Sequence, residues 1–170
     1  MDLEEFKSKV FPAKQKLFRL AVSMLRDREE AEDTLQDVFV KLWSKRQELN
    51  SYTSIEAFAM TVTKHLCLNK LKAGKLRRQV DITGMELGSS EANPYQRFEH
   101  TDSLNKVQGL MESLPEQQKF ILHLREIEGC SFEEIEQITN LTINNIRVIL
   151  TRARKSVQDG YLKLENYEVG

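Results

Sequence analysis

The chain has 170 residues, 40% hydrophobic and 30% charged, with a formal net charge of −1. That is the composition of an ordinary soluble globular protein with room for one compact domain or two small ones, and charge so balanced would argue against nucleic acid if it were evenly spread. It is uneven. Residues 57–80 contain no acid while Lys64, Lys70, Lys72, Lys75, Arg77 and Arg78 accumulate, and residues 137–158, also free of acid, hold Arg147, Arg152, Arg154 and Lys155. Cys67 and Cys130 stand far apart, outside any CxxC pattern, so neither a zinc site nor a disulfide framework is expected and both should sit in packed helices as small apolar residues. The N-terminal stretch lacks the apolar core of a signal peptide and no apolar run approaches a membrane span, which makes a reducing, cytoplasmic location the expectation.

Leu17, Ala21, Met24 and Leu25 keep a helical period and predict a helix before Asp27, with Asp27 and Arg28 in the turn that follows. From Glu29 to Trp43, Ala31, Leu35, Val38, Phe39 and Leu42 make one apolar stripe. The opposite side carries Asp33, Gln36, Asp37 and Val40, with Trp43 at its margin. A solvated face has no reason to present Val and Trp, so this helix is expected to serve both its own core and a partner protein. Residues 48–54 form a polar connection rich in turn formers, and Ser54 suits the N-cap of the next helix. Ile55, Phe58, Ala59, Val62 and Leu66 give that helix a buried face, and the pattern runs out near Ala73 and Gly74. Thr61, Lys64, His65, Leu68 and Lys72 lie outward; taken alone, His65 suits the margin of a core. Gly, Ser, Asn and Pro then cluster without a period, so residues 79–103 are expected to be a flexible linker.

Beyond it, Leu104, Val107, Leu110, Met111 and Leu114 form a stripe that ends at Pro115, and Phe120, Ile121 and Leu124 continue a core as far as Gly129. Ser131 and Glu134 have capping-box spacing, Asn140 suits a left-handed turn, and Thr142 can cap a last helix that buries Ile143, Ile146, Leu150, Ala153 and Val157. A short capped helix, a tight turn and a longer helix with basic outer residues make the pattern of a helix-turn-helix. Its outward residues, Thr142, Asn144, Arg147, Val148, Thr151, Arg152 and Lys155, suit a major groove: Arg pairs bidentately with guanine, Thr and Val meet thymine methyls, and Lys neutralises phosphate. A solvated bundle helix would mix Glu with the Arg. The three histidines are dispersed and no nucleophile, phosphate loop or metal-ligand spacing occurs, so no catalytic residue, metal, cofactor or small-molecule substrate is expected.

Taken in order, the acidic helix, the basic helix and the helix-turn-helix resemble an RNA polymerase sigma factor of the extracytoplasmic-function (ECF) branch of the sigma-70 family. "DREEAEDTLQDVFVKLW" is similar to the core-binding helix of region two, "AFAMTVTKHLCLNKLKAGK" to its promoter-melting helix, and "SLPEQQKFILHLREIEGCSFEEIEQITNLTINNIRVILTRARKSV" to region four. The resemblance implies an all-α protein of two small helical domains, region two over 1–78 and region four over 104–162. It assigns Asp33, Gln36, Asp37, Val40 and Trp43 to the clamp helices of core RNA polymerase. It assigns Asn50, Ser51, Tyr52, Thr53, Ser54, Thr61, Lys64, His65 and Lys72 to a single-stranded minus-ten element with a flipped base. The outward residues of the last helix go to the minus-thirty-five groove, and Leu110, Met111, Phe120 and Leu124 to the polymerase flap or the domain core. An anti-sigma factor, often membrane-bound in this family, is a further implied partner. Many relatives carry Asn in place of His65 and a basic residue in place of Ile149. The rival reading is a helix-turn-helix repressor or activator that acts without core polymerase.

Overall fold

The computed structural model describes the backbone of residues 1–81 and 102–169, and the side chains of residues 1–77 and 102–167. The chain divides into two compact units, Met1–Asn93 and Pro94–Gly170. The linker expected over 79–103 falls mainly on residues 82–101, outside the described residues. Every regular element among the described residues is helical.

In the first unit, α1 (Leu3–Val10) and a 3-10 turn (Phe11–Ala13) precede α2 (Lys14–Leu25), α3 (Arg28–Ser44), a second 3-10 turn (Leu49–Ser51) and α4 (Ile55–Asp81). The helices α2, α3 and α4 pack pairwise, and α1 lies against α4. Small side chains permit the close approach. Ala21, Ala31 and Cys67, all wholly buried, form a cluster flanked by Phe18, Val22, Met24 and Leu25. The stripe of α3 is inward as expected at Ala31, Leu35, Val38 and Leu42, whereas Phe39 is half-buried and meets Phe11 edge-on at 5.3 Å. Thr34 and Thr63 are buried too, and each hydroxyl donates to the carbonyl one turn back, Glu30 O at 2.7 Å and Ala59 O at 2.8 Å, so burial leaves neither unsatisfied.

Local chemistry explains the boundaries. Asp27, in extended backbone, caps α3 by accepting from the Glu30 N–H at 3.1 Å, and Glu29 and Glu30 sit favourably at the positive end of the helix dipole. The turn expected at Asp27 and Arg28 falls at Arg26, left-handed at φ 56°, and Asp27, while Arg28 already opens α3. Ser54 caps the first turn of α4 through the Ala57 N–H at 3.0 Å. That helix passes Ala73 and Gly74 and reaches Asp81, further than its apolar pattern suggested. Gly74 costs the helix about 1 kcal/mol, and the strong helix formers Leu71, Lys72, Ala73, Lys75, Leu76 and Arg77 on either side carry it through.

Cys67 lies in α4 with its thiol pushed up to about 12 by burial. Iodoacetamide at neutral pH is therefore expected to leave Cys67 unmodified in the folded chain and to label it fast in denaturant, as peptide mass mapping would read. Labelling at the free-thiol rate without denaturant would mean that α4 opens locally.

The second unit holds α5 (Asp102–Glu112), α6 (Glu116–Leu122) running into a π-helical turn (His123–Ile127), α7 (Phe132–Thr139) and α8 (Ile143–Val169). The core is Ile121, Leu122, Leu124, Ile135, Ile138, Ile146, Leu150 and Ala153, with α5, α6 and α7 each packed on α8. No residue of α5 is fully buried. Leu104, expected inward, is 54% exposed, whereas Val107, Leu110 and Met111 of the same stripe are half-buried and Leu114 is buried. At Gly160 the two helices come so close that a Cβ would stand 2.6 Å from a Leu110 methyl. Cys130 is buried as expected, yet it lies in the turn after Gly129, at φ 69°, and not in a helix. The π-helical turn also brings His123 Nε2 within 3.4 Å of Glu128 Oε1, both side chains almost wholly buried.

Candidate functional site

The outer side of α3 is a continuous exposed surface opposite its buried stripe. Asp33, Gln36 and Asp37 are exposed, and Val40 is 70% exposed, an unusual fraction for a valine with no partner in view. Trp43 lies at the margin of this surface. It is half-buried, with Phe6 of α1 edge-on at 5.1 Å and the Arg46 guanidinium 4.3 Å over its ring, so it forms the rim of this surface rather than an open anchor. Lys70 of α4 approaches Asp37 to 4.0 Å and places a cation at the other edge.

Residues 48–54 leave α3 and enter α4 with firm anchors. Leu49 is wholly buried, and the Tyr52 ring stacks on Phe58 with centroids 4.1 Å apart and planes 14° from parallel. Asn50, Ser51 and Thr53 are exposed, Tyr52 and Ser54 half-buried. Three of these side chains are already engaged: the Ser51 hydroxyl donates to Glu48 O at 2.6 Å, the Ser54 hydroxyl accepts from the Ala57 N–H, and the Asn50 amide bonds to α1 at both ends. On α4, His65 and Lys72 are exposed, which removes the core-margin reading of His65. Thr61 is half-buried with its hydroxyl given to Ala57 O. Lys64 is half-buried, and desolvation lowers its pKa, so a phosphate beside it would favour the charged form that burial disfavours.

In the second unit the turn forms as its residues dictate. Ser131 accepts from the Glu134 N–H at 3.0 Å while Glu134 accepts from the Ser131 N–H at 3.1 Å, a complete capping box. Asn140 adopts φ 59°, and Thr142 caps α8 through the Asn145 N–H at 3.2 Å. With Ile146, Leu150 and Ala153 inward, Thr142, Asn144, Arg147, Val148, Thr151, Arg152 and Lys155 are all exposed. Arg154, counted within the same basic run, is engaged elsewhere: its Nε donates to Glu126 Oε1 at 2.7 Å. Sequence reasoning missed Phe132. Its ring lies 5.2 Å from the Arg147 guanidinium and 4.4 Å from that of Arg125, and so steadies Arg147 before any partner arrives. The available signal was its place at the first position of α7, just after the cap and one i, i+3 step before Ile135. Between α5, the end of α6 and α8 there is also an open, mainly apolar groove of about 430 Å³, lined by Val107, Met111, Leu122, Val157 and Tyr161 together with Glu126, Arg154 and Gln158.

Two family models match the chain, Sigma-70 region 2 over residues 13–77 and Sigma-70, region 4 over residues 104–157, together more than two thirds of its length. The chain belongs to the sigma-70 family. The region-two match contains α2, α3, the connecting loop and most of α4; the region-four match contains the helix-turn-helix. The ECF RNA polymerase sigma factor SigM of Bacillus subtilis is 25% identical over 155 residues, covering 89% of this chain and 92% of that protein. The RNA polymerase sigma factor YlaC of the same organism is 26% identical over 147 residues, covering 82% of each. A solved structure of the sigma factor RpoE with the anti-sigma factor NepR from Bartonella quintana shares the fold, with a TM-score of 0.74, 22% identity and coverage of 95% of this chain and 98% of that one. This chain is accordingly an ECF-type sigma factor, a transcription initiation factor that binds core RNA polymerase and directs promoter recognition, and a repressor or activator acting without polymerase is the weaker account.

Proposed function

We propose a division of that activity among three surfaces. The outer side of α3, Asp33, Gln36, Asp37 and Val40 with Trp43 at its rim, docks on the clamp helices of core polymerase. Residues 50–54 and the outer positions of α4, Thr61, Lys64, His65 and Lys72, hold the separated minus-ten strand, where a flipped base offsets the few kcal/mol its unstacking costs by stacking and hydrogen bonds. The outer side of α8 enters the minus-thirty-five major groove. The apolar groove beside α5, with Met111 in its wall, takes the polymerase flap. One observation carries this reading: the exposed side of α8 from Asn144 to Lys155 has no acid, and its other side is the core of a capped helix-turn-helix. Action at a chromosomal promoter places the protein in the cytoplasm, and the solved relative bound to an anti-sigma factor makes sequestration by such a partner the expected control.

The direct test is reconstitution. Purified chain added to bacterial core polymerase should be retained with it in a pull-down and support initiation from a matched promoter; a chain that bound its duplex site tightly alone and ignored core would be a repressor or activator instead. Within α8, Arg147→Ala should lose roughly 1–3 kcal/mol of discrimination at one base pair of the minus-thirty-five element. Competition binding with single-substituted duplexes reads this, and a uniform loss over all sequences would make Arg147 a phosphate contact.

A further inference from the structure

The helix α1 ends before residue 13, where the region-two match begins, yet it touches both surfaces assigned to the first unit. Toward α3, Phe6 is 4% exposed and packs on Trp43, and Phe11, just past the helix, packs on Phe39. Toward the promoter loop, Lys9 Nζ donates to Asn50 Oδ1 at 2.7 Å and Asn50 Nδ2 donates to Glu5 Oε1 at 3.4 Å, while Lys9 and Glu5 pair directly at 2.8 Å. The spacing of Glu5 and Lys9, one helical turn, sets both charges on the same side of α1.

An asparagine amide has one accepting oxygen and one donating nitrogen. Here the oxygen meets an ammonium and the nitrogen a carboxylate, so the two charges dictate which way the amide is turned. The carboxyl of Glu5 is held below its ordinary value by the Lys9 bond first and the Asn50 bond second. It therefore supports this arrangement above the usual carboxylate range, and the support fades as pH falls through the lowered value. With one bond at each end the amide keeps one N–H and one lone pair, and the two charges fix where these point. The loop is otherwise fixed at Leu49, which is buried, and at Tyr52, which stacks on Phe58; Asn50 stands exposed between them.

We propose that Glu5 and Lys9 are positioning residues: they hold Asn50, and with it the first turn of the promoter loop, in a fixed place relative to α3, and so sharpen minus-ten discrimination. Asn50 is then a strut of the loop, and what its amide still offers a strand points where the two charges aim it. The proposal rests on residues 50–54 being the promoter-reading loop. Its physical basis is preorganisation, since a loop ordered before the strand arrives spends less of its contact energy on ordering and tells a correct base from a wrong one more sharply.

The test uses the full chain in two measurements. Hydrogen exchange of residues 48–54, without polymerase or DNA, should speed up in Glu5→Ala and in Lys9→Met and return toward the original rate in the exchanged pair Glu5→Lys with Lys9→Glu, because the amide can turn over and meet both charges again. With core polymerase, open-complex formation on matched and minus-ten-substituted promoters should show each single variant losing about 1.5- to fivefold of its discrimination, the range expected of an exposed charged network. Core affinity and minus-thirty-five preference should stay unchanged, and the exchanged pair should recover discrimination. Unchanged loop exchange in both single variants overturns the brace itself. Faster exchange with unchanged minus-ten discrimination overturns the assignment of these residues to positioning the promoter loop. Equal loss at both promoter elements overturns it as well, as would an exchanged pair no better than the single variants.

Discussion

Lysine at both Asp33 and Asp37 should weaken binding to core RNA polymerase by on the order of a hundredfold or more, because like charges brought together across an interface cost several kcal/mol. Both carboxylates lie on the exposed side of α3, with the buried stripe on the other. Neither side chain is part of a cap or a core. Lys70 Nζ stands 4.0 Å from an Asp37 oxygen, with the Asp37 side chain 63% exposed, a pair worth less than about 1 kcal/mol to folding. Folding should accordingly change little, and duplex binding by α8 should not change at all. Titration of core against the labelled chain reads the effect, with Asp33→Asn and Asp37→Asn together expected to fall between the two extremes. Unchanged affinity in the lysine variant would move the clamp contact off this face, and parallel loss of duplex binding would point to misfolding.

Leu42→Ala, on the inner side of the same helix, should cost the first unit about 2–5 kcal/mol, through lost transfer energy and the cavity left where a wholly buried leucine stood. Against the 5–15 kcal/mol that holds a typical domain together, this is a large fraction. The second unit has its own core of Ile121, Leu124, Ile135, Ile146 and Leu150, so calorimetry should show the transition of the first unit lowered by roughly 10 °C or more and that of the second in place. A shift of only a few degrees would mean that α2 and α4 close around the alanine. Side by side, the two substitutions separate what α3 does inward from what it does outward.

The elements that could be read without a structure are those whose signal is local. The capping box at Ser131 and Glu134 needs only residues three apart, and the left-handed turn at Asn140 needs a residue that tolerates positive φ; both are present as expected. The stripe of α3 and the outward set on α8 follow from a period of 3.6. Short or weakly amphipathic pieces were less legible. Eight residues are too few for α1 to show a period, and α4 runs past Gly74 because its last turns are held by propensity rather than by an apolar face. The stripe of α5 has the spacing of core, yet spacing says only that apolar residues share a side, not how deeply each is buried. Leu104 is the consequence.

What the amino-acid sequence determined by itself is therefore the order of helices, the inner and outer sides of α3 and α8, the separation into two basic segments, and a resemblance that family matching bears out. Only the tertiary structure decided that Trp43 is a packed rim under Phe6 and Arg46, that Arg154 is tied to Glu126, that Phe132 steadies Arg147, and that Asn50 is held by Glu5 and Lys9. Each of these joins residues from different elements. A helical period records which residues point the same way, but the partner opposite them depends on how separate helices meet, and no spacing along one helix contains that information.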